Sequence, residues 1–360
     1  MKKIMILICL LFILNGCYDN QELNNLAIIT AMNISKNNDK YNITIQVINP
    51  KNRQDETSSN DAKYLTYEAT GEKISTTINK INKKTPKKLY ESQMQILLID
   101  KLIAKENIKE IIDYFIRNND TRSEFYVLIN KNNTLNPLKI TSSNNIVKTL
   151  KKNHKYISTV TPITLNDLIT DYQNKNKEIT LPTIDINKKD IIISNIAIFK
   201  KNKLIGYLND EESLTYNFIV NKINNTIVTT NYKKENYIIT EITKSKTKIK
   251  IKPNKKIKII IKGNALIKEK NNKIETDDKY NKEKLEKIIN KKLEKKITKN
   301  FNKINKEYNT DIYGFKDLLY KYYKKRVTNN EGFLKNIDIN IKCKLNIIND
   351  DNLIGGISNE

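Results

Sequence analysis

The sequence predicts an α+β protein of more than one domain, built mainly from antiparallel sheets with packed helices and preceded by a cleaved lipoprotein signal peptide. Three observations carry that reading. Strand-like alternations come in neighbouring runs joined by short polar turns, as in hairpins and meanders. Amphipathic helical stretches interrupt those runs without alternating with them one for one. The first residues read as a secretion signal that ends at a cysteine.

Residues 1–16, MKKIMILICLLFILNG, begin with Lys2-Lys3, continue as an apolar run from Ile4 to Leu14 and finish on a small residue before Cys17. That run is short for a bilayer span and has the layout of a secretory leader. Leu14-Asn15-Gly16-Cys17 resembles the bacterial lipobox, whose cysteine receives a diacylglycerol and becomes the new N-terminus; Leu, Gly and Cys match, and Asn15 is the unusual occupant. Position, length and flanks agree, which favours lipid attachment at Cys17 over an ordinary cleaved signal that ends near a cysteine by chance. Each buried CH₂ contributes about 0.8 kcal/mol, so two acyl chains hold a protein on a membrane that it does not cross. Cys9 leaves with the leader, so Cys343 has no intrachain partner. It shares its parity with Ile337, Ile339, Ile341, Leu345 and Ile347 and reads as a small core residue, not a reactive thiol.

The mature chain divides into an N-terminal α+β domain over 17–134, a small middle domain or connector over 135–189, and a C-terminal α+β domain over 190–360. Leu26–Ile34 and Tyr41–Asn49 form an opening hairpin across the polar turn Ser35–Lys40, and Lys51–Ala62 is a polar loop. A strand at Tyr64–Thr70 ends at Gly71; Ile74, Ile78 and Ile81 then recur at helical spacing until Thr85-Pro86 stops them. Gln93–Asp100 is a compact apolar strand, Ile108, Ile111, Ile112 and Phe115 mark a second helix, and Phe125–Asn130 is a further strand. Through the middle, Thr141–Leu150 and Thr164–Tyr172 read as helices, the second capped by Thr164, and Thr180–Asp185 as extended chain.

Ile191–Lys200 and Lys203–Leu208 pair as a hairpin before a helix at Glu211–Ile223. Four strands follow at Thr226–Asn231, Tyr237–Thr243, Lys246–Lys252 and Lys256–Lys262, the last two joined at Pro253-Asn254. The alternation Lys248-Ile249-Lys250-Ile251 gives that antiparallel sheet one buried and one lysine-coated face. Glu283–Tyr308 is a long helix with Leu285, Ile288, Ile289, Leu293, Ile297, Phe301 and Ile304 on one face. Packing on the sheet is its expected role; lying on lipid is the alternative. A helix at Phe315–Arg326 and a strand at Ile337–Ile348 close the chain.

Lys and Arg total 65 against 40 Asp and Glu in 360 residues, a formal charge of +25 that becomes +23 when Lys2 and Lys3 leave with the leader. Such a field draws a protein to polyanions: acidic phospholipid headgroups, cell-wall polymers or nucleic acid. Nucleic acid is not the expected partner, because the lysines read as scattered through every face of every element instead of gathered into a stripe with interleaved aromatics, and an exported lipoprotein meets little nucleic acid. The one histidine, His154, has no cysteine or carboxylate cluster beside it in sequence, and the acidic pairs Asp19–Glu22, Glu211-Glu212 and Asp277-Asp278 read as loop or helix-start chemistry. No phosphate loop, nucleophile elbow or paired-cysteine motif occurs. The reading therefore assigns no catalytic residue, no metal site and no cofactor.

The text from Gly16-Cys17-Tyr18-Asp19 through Glu22-Leu23 to Ile28 resembles the start of the C subunits of bacterial spore germinant receptors, the Ger(x)C family. Gln46–Pro50, Asn195–Lys200 with Lys203–Leu208 and Glu211-Glu212, and Asp311-Ile312-Tyr313-Gly314-Phe315 with the closing strand are similar to later family segments and stand in the same order. Tyr18 replaces a common Trp, and Asn20-Gln21 replaces a basic pair. The resemblance implies α+β domains, no enzymatic activity, and a place beside an integral-membrane A subunit and a permease-like B subunit, lipid-anchored to the outer face of the cell membrane, which becomes the inner membrane of the spore. Only the lipidated Cys17 carries over as a site residue. A solute-binding lipoprotein feeding a transporter is the alternative, and a cell-wall hydrolase a more distant one.

Overall fold

The structure, a computed structural model, describes residues 25–49, 64–118, 121–132, 134–188, 190–233, 236–252, 256–270, 279–324 and 337–348, together with Leu334. The leader, Cys17, Asp19–Glu22, the Lys51–Ala62 loop, the Pro253-Asn254 turn and Asp277-Asp278 lie outside these residues.

β1 (Leu26–Asn37) and β2 (Lys40–Ile48) form the expected opening hairpin. It turns at Asn38-Asp39, both at positive φ, a conformation that Asn and Asp tolerate better than most residues. β3 (Tyr64–Gly71) adds antiparallel to β2 and leads into α1 (Ile74–Asn82). After β4 (Lys88–Tyr90), β5 (Ile96–Asp100) pairs parallel with β1. The chain then crosses over through α2 (Lys101–Glu106) and α3 (Lys109–Arg117) to β6 (Tyr126–Asn130), parallel to β5. α4 (Ser143–Tyr156) and α5 (Leu165–Gln173) precede β7 (Thr180–Asn187), which is parallel to β6. β8 (Asp190–Lys200) and β9 (Lys203–Leu208) end this nine-stranded sheet as an antiparallel hairpin, in the order β3-β2-β1-β5-β6-β7-β8-β9 with β4 beside β1.

The parallel centre of this sheet departs from the sequence reading, which sees no strand-helix-strand unit. β5 is Ile96-Leu97-Leu98-Ile99-Asp100, buried at every residue. A strand covered on both faces shows a continuous apolar run, and such a run carries no alternation from which to read its neighbours. The helices supply both covers. α1, α2, α3 and α5 pack on the face carrying Leu97, Ile99 and Val127, and α4 packs on the face carrying Ile96, Leu98 and Leu128. Thr164 caps α5 as expected, in a capping box with Asp167.

α6 (Asp210–Ile219) opens the second unit, followed by β10 (Asn225–Lys233), β11 (Asn236–Ile251), β12 (Lys256–Lys270), α7 (Lys279–Tyr308), α8 (Phe315–Tyr323) and β13 (Asp338–Ile347). The sheet order is β10-β11-β12-β13, and β13 runs parallel to β12. Two expected strands, Tyr237–Thr243 and Lys246–Lys252, are one strand here. Its pairing to β12 jumps from Thr243–Asn264 to Lys246–Lys262, with Lys244 at φ 50°. This bulge exchanges the two faces of the strand, so Ile238 and Ile242 point inward before it and Ile249 and Ile251 after it. The change of parity is what makes the text read as two strands. Gly263 lies opposite the bulge, where a Cβ would stand 3.1 Å from the Thr243 carbonyl oxygen and 3.2 Å from the Ser245 Cα.

α7 has the packed role. Leu285, Ile289, Leu293, Ile297, Phe301 and Ile304 are all buried against the second sheet, so its apolar side is not open to lipid. The helix also finishes the sheet's edge. Backbone N–H groups of Ile347, Leu345 and Cys343 donate to Glu286 Oε1 (2.7 Å), Asn290 Oδ1 (2.8 Å) and Glu294 Oε1 (2.9 Å). Four helical residues rise about 6 Å and two strand residues about 6.6 Å, so side chains at this spacing meet alternate amides of β13. Cys343 sits in the core, and burial pushes its thiol well above its usual range.

His154, half-buried on α4, lies 3.0 Å from the Val160 carbonyl oxygen through Nδ1 and 2.9 Å from Asn224 Nδ2 through Nε2. These partners select the neutral ring with Nδ1 protonated. Burial lowers its pKa below 6.5, Lys222 adds to the effect, and the bond to Val160 opposes it. With the folded value depressed, the unfolded chain binds more protons in the window below 6.5, so this contribution to stability is present above 6.5 and lost as pH falls through the folded value. Thermal midpoints across a pH series should decline on the acid side of neutrality, and His154→Asn should flatten that decline; parallel curves for the two proteins would count against this account.

Candidate functional site

The two units share a wall. Ile196, Ile198 and Leu208 on one face of the β8–β9 hairpin belong to the core of the second sheet, whereas Ala197, Phe199 and Leu204 on the other face belong to the core of the first. Gly206 on β9 lets Tyr308 of α7 approach, since any Cβ there would lie 2.3 Å from the Tyr308 ring. The Tyr308 hydroxyl donates to the Tyr207 carbonyl oxygen at 3.1 Å.

Beside this wall lies a cleft of about 400 Å³ formed by α5, β7, the end of α6, β11 and the start of α8. Its polar groups come from both units. Lys177 Nζ donates to Asp171 Oδ1 at 2.9 Å and to Oδ2 at 2.7 Å, and both side chains are largely buried. Burial works against the Lys177 ammonium, but Tyr216, Asp171 and Asp311 outweigh it, and its pKa moves up. The hydroxyls of Thr180 and Tyr216 meet at 3.0 Å.

Asp311 organises the far side. It is buried, and its carboxylate accepts backbone N–H groups from Tyr313 (3.2 Å), Gly314 (3.0 Å), Phe315 (3.2 Å) and Lys316 (2.8 Å). This nest starts α8, and Gly314 takes a φ of +77° that a side chain would strain. Burial pushes the Asp311 carboxyl up against the pull of those amides. Its own carbonyl oxygen accepts the N–H of Glu178, 3.1 Å away, joining α8 to the segment before β7. The nest also sets Tyr313 into a ring cluster, 5.2 Å from Phe315, 5.2 Å from Phe301 and 5.9 Å from Tyr216. The Tyr313 hydroxyl is buried and has no hydrogen-bond partner among the described residues.

Of the residues singled out in the sequence, Glu211 and Glu212 act as helix-start groups that also tie α6 to α7. Asn209 and Glu212 form a capping box, Glu211 pairs with Lys296 at 2.9 Å, and Glu212 pairs with Lys303 at 2.6 Å. Asp311–Phe315 stands at the cleft, and the reason for its residue order is the nest. Lys177 and Asp171 carry no signal in the text, because an ion pair six residues apart across a turn has no period. Among the described residues no group of three His, Cys, Asp or Glu side chains is placed to hold a metal ion, and no described helix is long and apolar enough to cross a membrane. The geometry is that of a joint: one largely buried ion pair, one amide nest and a ring cluster where two sheets meet.

Residues 19–186 match the model of the spore germination protein N-terminal domain, and residues 194–350 match that of the spore germination B3/GerAC-like C-terminal domain. The chain belongs to the Ger(x)C family. Spore germination protein KC of Bacillus subtilis (strain 168) is 26% identical across 92% of this chain and 91% of its own length. Spore germination protein B3 of the same organism is 26% identical across 86% of each chain. The crystal structure of the GerBC protein covers 88% of this chain and 97% of its own, with a TM-score of 0.59 at 21% identity, and so has the same α+β fold. In this Ger(x)C chain the boundary between the two matched regions falls at the start of β8, the strand that both cores share.

Two substitutions separate the structural contributions of the joint. Asp311→Ala leaves buried amides without an acceptor and should lower unfolding stability by about 3 kcal/mol or more in urea titrations. Tyr313→Phe removes only an unpartnered hydroxyl and should be neutral or stabilising by up to about 1 kcal/mol. A large loss with Tyr313→Phe would mean that the hydroxyl has a partner of its own.

Proposed function

We propose that this chain is the lipoprotein subunit of a spore nutrient-germinant receptor, required for receptor assembly or signalling and without catalytic activity of its own. The observation that carries the reading is the match to both germination-family regions in order along nearly the whole chain, behind residues 1–16, which read as a leader before Cys17. Lipid on Cys17 anchors the protein to the outer face of the membrane that becomes the spore's inner membrane, and the A and B subunits of the receptor are its partners there. Confinement to one membrane plane raises the effective concentration of the subunits for each other. The joint between the two sheets gives the subunit one stiff body through which a displacement at one end reaches the other.

The experiment is nutrient-triggered release of dipicolinic acid from spores with the wild-type gene, a deletion, or Cys17→Ala. The deletion should abolish release for at least one nutrient, and Cys17→Ala should reduce or abolish it while the polypeptide is still made. Full release from the deletion strain across a panel of nutrients would overturn the reading and bring the solute-binding alternative forward. Full release from Cys17→Ala alone would remove the anchor from it.

A further inference from the structure

Beyond the β11 bulge, the outer face of the second sheet carries a grid of lysines. Register aligns Lys246, Lys262 and Lys344 in one row across β11, β12 and β13. Lys248, Ile260 and Lys342 form the next row, and Lys250, Lys258 and Asn340 the third. All seven lysines are exposed, and no carboxylate stands in these rows. With strands about 4.8 Å apart and alternate residues about 6.7 Å apart, the patch measures about 10 Å by 13 Å. The β11 bulge deepens one end of it into a concavity of about 370 Å³, ringed by Lys244, Lys246, Lys262 and Lys344 with the amides of Asn264 and Asn346.

Like charges directly opposite one another on neighbouring strands destabilise a sheet. Here they recur at Lys246–Lys262–Lys344 and at Lys250–Lys258, and the helix α7 covers only the other face. A partner that neutralises the grid removes that repulsion. The seven exposed lysines are spread in rows over three adjacent strands, so they suit a surface better than a groove or a rod. Its charges are lysine ammoniums, compact point charges on flexible stems that adapt to a mobile layer, not planar forks that fix one geometry. The three rows hold no aromatic side chain on which a nucleic-acid base would stack.

We propose that the outer face of β11, β12 and β13 docks on an anionic lipid surface, with a phosphate-bearing headgroup in the concavity at the bulge. The contact sets the orientation of the second sheet on the bilayer and is separate from attachment at Cys17. It does not depend on the receptor reading, because vesicles report it without spores.

The test uses the chain from residue 18 onward without lipid, which retains every described element, and measures its co-sedimentation with vesicles. Vesicles of phosphatidylcholine mixed with an equal part of phosphatidylglycerol should bind it, vesicles of phosphatidylcholine alone should not, and added salt should reverse binding. Replacing Lys246, Lys258, Lys262 and Lys344 by Gln should weaken binding about fivefold per lysine, several hundredfold together. The same change at Lys287, Lys291, Lys295 and Lys299, on the outer side of α7, removes equal charge from the opposite side and should weaken it far less. Thermal midpoints verify folding, and the sheet variant should match or exceed wild type because it loses like-charge pairs. Absence of binding to anionic vesicles overturns the proposal, and so does equal loss in the two variants, which reduces the effect to net charge. Binding to duplex DNA that depends on the same four lysines, without vesicle binding, also overturns it.

Discussion

The entry of residues from the β8–β9 hairpin into both cores is the constraint on which the rest of the molecule depends. A hairpin with one wet face ends a domain; this one serves as the outer layer of the first core and the inner layer of the second. Its residues alternate between the two, so neither sheet completes its apolar packing without the other. Tyr308 over Gly206 and the Glu178–Asp311 backbone bond lie around that shared layer and fix the angle between the sheets.

The same constraint explains where the cleft lies. Two twisted sheets that share one hairpin diverge beside it, and the gap takes its lining from α5, β7, β11 and α8. An ion pair and a tyrosine cluster in such a gap favour one relative setting of the units, because buried charges and rings tolerate few alternative arrangements. Stiffness at this point turns the two units into one lever. The lysine grid lies on the far side of the second sheet from its helix, so the element that stiffens the sheet and the face offered to a partner do not compete.

Much of the element order was legible in the text. The opening hairpin, the Thr164 cap, the β8–β9 pair and the long α7 follow from alternation, capping and helical spacing, all of which are local. What was not legible involved neighbours distant in sequence. β5 pairs parallel between β1 and β6 because its two faces are covered by different helix layers, and a doubly covered strand has no period to read. The bulge in β11 breaks one strand into two apparent ones. β13 lies parallel to β12 because α7 and α8 carry the chain back along the sheet.

The sequence by itself determined the α+β class and, along the alternating strands and amphipathic helices, which residues take the buried side, since these depend on residue types at short spacing. The tertiary structure alone decided what those faces meet. It brought Lys177, Tyr216 and Tyr313 to one cleft, covered the apolar side of α7 with a sheet, and set the lysines of β11, β12 and β13 in rows. The physical reason is that alternation places a lysine on a face, whereas strand register places it beside another lysine, and register is set by bulges and pairings that span the whole unit.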